Sequence, residues 1–135
     1  MFDTWKVLGA IAAGELKGAI AMAIRHALPG DVIDIRPLGS ALSGAMTTAL
    51  IKTEDIEVIR LIVPRGKAIH THKTNGEVII QCLEGRIAFT TRGVTQELEG
   101  GRLLYLEREQ EHSLIGIDDA SLLVTILFPR DSLAS

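Results

Sequence analysis

Residues 66–86 decide the reading of this chain. They run Gly66-Lys67-Ala68-Ile69-His70-Thr71-His72-Lys73-Thr74-Asn75-Gly76-Glu77-Val78-Ile79-Ile80-Gln81-Cys82-Leu83-Glu84-Gly85-Arg86. Apolar runs of strand length alternate with turn residues, first Asn75-Gly76 and then Glu84-Gly85. In an extended strand, residues i and i+2 share a face, so His70 and His72 are expected side by side. Two adjacent imidazoles are the start of a metal site, and His112 is the third candidate.

The same rhythm continues outward from this stretch. Strands are expected at 56–63, 68–72, 78–83, 86–91, 94–98, 103–106, 112–115 and 121–128. Pro64-Arg65-Gly66, Arg92-Gly93, Gly100-Gly101 and Asp118-Asp119 separate them. Short strands punctuated this regularly predict an antiparallel sandwich or barrel. Upstream, residues 31–35 alternate like a strand, 37–40 read as a turn, and 46–52 as another strand.

Before Pro29-Gly30 the pattern changes. Leu8, Ala12, Leu16, Ile20, Ile24 and Leu28 recur at helical spacing, with Asp3 or Thr4 as cap. One helix is expected there, or two short ones with a break near Gly14, and His26 falls near its end. The organisation expected is a helical extension over 1–30 and a barrel over 31–135, one domain overall.

Composition narrows the function classes. A net charge of -3, with basic residues scattered singly, offers no electrostatic footprint for nucleic acid. No run approaches the roughly 20 apolar residues of a membrane span, and the N-terminus lacks the layout of a secretory signal. Cytoplasm is therefore the expected location. The single cysteine, Cys82, cannot form an intrachain disulfide and sits in an apolar run, so a buried thiol is expected.

The segment 66–85 resembles the first motif of the cupin family: a glycine, His-x-His, a glutamate and a closing glycine after a short strand. Gly101-Arg102-Leu103-Leu104-Tyr105-Leu106, running on to His112, resembles the second motif. The likeness covers roughly 56–128 and is nearest to small, single-domain bacterial cupins of mostly unassigned function. It implies a mainly β fold: a double-stranded β-helix or jelly-roll barrel of the RmlC-like type, here with an N-terminal helical segment. It also implies one divalent transition metal (Fe, Zn, Ni or Mn) inside the barrel on His70, His72 and His112. Such a metal can serve a dioxygenase- or isomerase-type enzyme acting on a small organic molecule. The alternative is a non-catalytic small-molecule-binding barrel with an empty metal site. Pairing into a homodimer is expected, with the apolar N-terminal helix helping to cover the barrel.

Two departures from the motifs matter. Counting back from Gly85, the family's glutamate position holds Val78, and Glu77 is one residue off. A one-residue offset points a side chain to the opposite face, so Glu77 becomes a ligand only through a bulge near Asn75-Gly76. Gln81 likewise enters the site only from a bulged strand. In the second motif, Glu107 and Glu109 replace the proline and the glycine, leaving a charged loop at 107–111. Tyr105 and Phe89 are expected in the core, together with Val78, Ile80, Leu104 and Leu123.

Overall fold

The computed structural model describes residues 26–130. Most of the helix expected over 1–30 lies outside them, and within them 26–30 are not helical. There the Ala27 N–H donates to the Leu50 carbonyl (2.9 Å), and Gly30 takes φ +94° in a turn closed by Asp31 N–H to Leu28 O. Residues 31–35 are not a strand either. Val32 is 97% exposed, and Asp34 pairs with Arg36 (2.8 Å), so an apolar/polar alternation with no partner strand stayed a loop. A 3-10 turn, Gly39–Gly44, follows.

Nine strands are present among the described residues: β1 (Thr48–Lys52), β2 (Ile56–Val63), β3 (Ala68–His72), β4 (Glu77–Glu84), β5 (Arg86–Thr91), β6 (Val94–Glu99), β7 (Leu103–Leu106), β8 (His112–Gly116) and β9 (Ala120–Leu127). They form two antiparallel sheets, β1-β2-β9-β4-β7 and β3-β8-β5-β6. The chain crosses between sheets after β2, β3, β4, β6, β7 and β8, which is the jelly-roll path. Short links join β2 to β3, β4 to β5 and β8 to β9.

Alternation builds the core. Ile59, Leu61 and Val63 of β2, Val78, Ile80 and Cys82 of β4, and Leu122, Val124 and Ile126 of β9 meet Ile69, Leu114, Phe89 and Ile87 from the facing sheet. Cys82 is buried, as its apolar run predicts. On β9 the interior positions fall to Leu122 and Val124, and Leu123 is only half-buried. Tyr105 is exposed on the edge strand β7, while Phe89 is a core residue.

Gly85 alone links β4 to β5. Its φ is +82°, and a Cβ there would overlap the Asp119 carbonyl and lie 2.6 Å from Ala120 Cα. No other residue type meets both demands, which explains the glycine that closes the first motif. At the β5–β6 hairpin, Arg92 and Gly93 are both left-handed, as a tight two-residue turn between Thr91 and Val94 requires.

Candidate metal centre at one end of the barrel

The register of the first sheet sets a row of inward residues. Glu57 pairs with Ile126, Ile126 with Val78, and Val78 with Leu106. From Leu106 the chain crosses by 107–111 to His112, and from His72 by 73–76 to Glu77. The row therefore lies at the same end of the barrel as His72 and His112.

His112 is buried, 6% exposed, with its ring stacked on Phe89 (centroids 5.5 Å apart, planes at 13°). Its Nδ1 lies 3.0 Å from the Gln110 carbonyl oxygen, which can only accept, so Nδ1 carries the hydrogen. Nε2 is then the lone-pair nitrogen. Burial lowers the imidazole pKa, against the smaller opposing effect of the Gln110 hydrogen bond, and this favours the neutral ring. A neutral imidazole whose other nitrogen is held by a backbone carbonyl is the form in which histidine binds a metal.

The loop that supplies that carbonyl is tightly bonded. The Gln110 side chain accepts from Glu107 N–H (2.9 Å) and donates to Thr91 Oγ1 (3.0 Å), and Thr91 Oγ1 donates to the Glu111 carbonyl (2.8 Å). Glu109 N–H reaches back to the Thr74 carbonyl (2.8 Å). Glu109 has φ +59°, so the glycine position of the second motif keeps its left-handed backbone although a glutamate occupies it. Gln110 and Thr91 carry this scaffold, and neither has a sequence signal, because each acts through a contact made only on folding. The loop and the β5–β6 turn border a pocket of about 510 Å³, with His112 in its wall and Arg92 paired to Glu107 at its rim.

β3 departs from regularity. Ile69 pairs with Leu114 and His72 with His112, so the register shifts within the histidine triplet. Three steps along β3 match two along β8, and His70 sits in the extra step, exposed. The side chain of His72 lies outside the described residues. Among the described side chains, no group of three or more His, Cys, Asp or Glu converges as a metal cage.

Glu77 and Gln81 stay on the outer side. β4 keeps regular register from Glu77 to Cys82 and shifts only beyond it. The inward positions are Val78, Ile80 and Cys82, and the Glu77 carboxylate accepts a hydrogen bond from Tyr105 Oη (2.8 Å). The bulge that would turn Glu77 inward is absent at that point.

Glu57, which motif reading passed over, is the inward carboxylate of this end. It is fully buried, and neither oxygen accepts a hydrogen bond. Lys52 Nζ lies 3.5 Å from Oε2. Burial pushes the Glu57 pKa up, and the charges of Lys52 and, more weakly, His26 pull it back. Its only sequence signal is a single acid at an inward position of an otherwise aliphatic strand.

No protein-family model matches the chain, and no curated protein matches it. Solved structures do. A cupin superfamily protein from Desulfitobacterium hafniense aligns with TM-score 0.64 at 16% identity, over 76% of this chain and 100% of the other. A conserved protein of unknown function from Streptococcus pyogenes aligns with TM-score 0.63 at 16% identity, over 80% and 98%. An RmlC-like cupin from Methanocaldococcus jannaschii with a double-stranded β-helix fold gives 0.62 at 16%, over 78% and 100%. The chain has the cupin fold. Among the described residues no helix is long and apolar enough to cross a membrane.

Proposed function

We propose that this cupin barrel binds one divalent transition metal at the Glu57 end, on histidines drawn from His70, His72 and His112, and acts there on a small organic molecule. The observation that carries the proposal is His112: buried, which favours its neutral form, and held through Nδ1 by the Gln110 carbonyl. Support for His72 comes from the register, which sets it across from His112. His70 is the lesser donor, since it is exposed in the shifted part of β3. When bound, such a metal polarises a carbonyl or enol oxygen or lowers the pKa of a bound water. The protein's own part is to fix His112, shield it with Phe89, and admit the molecule by the pocket beside the loop 107–111. Carboxylates and guanidinium groups at that rim suit a polar molecule better than a hydrocarbon.

Metal analysis of the purified protein tests the proposal. Stoichiometric transition metal is expected, lost in His112→Ala and His72→Ala and largely kept in His70→Ala. Protein that is metal-free and cannot be loaded with iron, zinc, nickel or manganese would overturn it.

A further inference from the structure

We infer that Glu57 supplies the carboxylate of this metal site, from β2 rather than from the β4 position that Val78 holds; the inference rests on the metal-binding reading above. Val78 and Glu57 lie in one inward row, with β9 between them. Two strand spacings, roughly 10 Å, therefore separate the two backbone positions. A short link joins β2 to β3, which ends at His72, and another joins β8, which begins at His112, to β9. The carboxylate has thus moved across the sheet to the side on which the backbone brings His72 and His112 into register.

Its surroundings fit that role. A fully buried carboxylate with neither oxygen hydrogen-bonded is costly and needs a cation. Lys52 is the cation paired with it in the structure, its ammonium 3.5 Å from one oxygen. A metal ion satisfies the same need from inside the barrel. Two imidazoles and one carboxylate form a donor set suited to zinc or iron(II), and leave coordination positions open.

The test compares the wild-type protein, Glu57→Gln and His112→Ala, each stripped of metal and titrated with cobalt(II) against a competing chelator. Glu57→Gln is expected to weaken cobalt binding at least 10- to 100-fold, the range for losing even an indirect partner of a metal site. Its visible cobalt spectrum should also change. Without metal, Glu57→Gln should melt at or above the wild-type temperature, because a buried unbonded charge is gone; with metal, the order should reverse. Unchanged cobalt affinity and spectrum in Glu57→Gln, with binding lost in His112→Ala, would overturn this inference and leave the metal-binding reading standing. A Glu57→Gln protein that melts lower than wild type without metal would make the carboxylate a structural partner of Lys52, and also overturns it. Wild-type protein that binds no cobalt removes both readings.

Discussion

Each end of the barrel holds a glutamate, half-buried Glu84 at one and fully buried Glu57 at the other, and the two are treated in opposite ways. At one end Glu84 accepts hydrogen bonds from Leu38 N–H (2.9 Å), Gly39 N–H (3.1 Å) and Ser121 Oγ (2.8 Å). Burial alone would raise its pKa, but those three donors together hold it below the ordinary value. At the other end, Glu57 accepts none and is pushed upward. The first end is laced further by Arg65 N–H to Asp119 (2.8 Å) and by the backbone exchange between the Gly66–Lys67 turn and Gly116. A satisfied carboxylate staples the turn at 39–44 to the barrel. An unsatisfied one stores a demand that something at its end must meet. The difference sets the two ends apart without reference to any motif, and the proposed site lies at the Glu57 end.

The contrast can be broken most sharply at Gly85. Alanine there adds left-handed strain of about 1–3 kcal/mol to an overlap with the Asp119–Ala120 backbone of similar cost. Gly85→Ala should therefore lose about 3–5 kcal/mol in urea unfolding, while an unchanged midpoint would mean that this end is not tightly closed. Next in size is Glu84→Gln, which replaces an acceptor by an amide whose NH2 faces backbone donors. A loss of about 2 kcal/mol is expected, discounted for partial exposure. Because the folded pKa of Glu84 is depressed, its contribution is complete above the ordinary glutamate pKa and is lost as pH falls below it. The stability gap between wild type and Glu84→Gln should shrink on acidification, and a gap that widened would reverse the assignment. Smallest is Glu109→Gly. Relief of a left-handed glutamate, about 1–2 kcal/mol, outweighs the added freedom of the unfolded chain, about 0.4–1 kcal/mol. A gain of about 0.5–1 kcal/mol in the thermal or urea transition would show that the loop keeps a backbone shaped for glycine.

The strands from residue 56 onward were legible because alternation and turn residues agreed at every step. β2, β3, β5 and β7 fall at the expected bounds, and the others differ by a residue at one or both ends. The failures are physical. Residues 31–35 alternate but find no partner strand, and alternation without a ladder leaves a loop. The register shift in β3 between Ile69 and His72 was not foreseen, because it lies in hydrogen bonding to β8, which the triplet itself does not encode. The inward carboxylate was sought one residue from Val78 because motifs are read along a strand. Glu57 lies beside Val78 only across the sheet, with β9 between them, and that proximity exists only once β2, β9 and β4 have paired.

Cys82 turns this architecture into a reporter of its own opening. The chain's one thiol is fully buried in β4, with Sγ 3.4 Å from the Glu84 carbonyl and 3.6 Å from that of Gly85, and burial raises its pKa. A thiol-specific reagent can reach it only when the Glu84 end comes apart. Labelling kinetics of the unmodified protein thus clock the breathing of that end with no probe to be engineered.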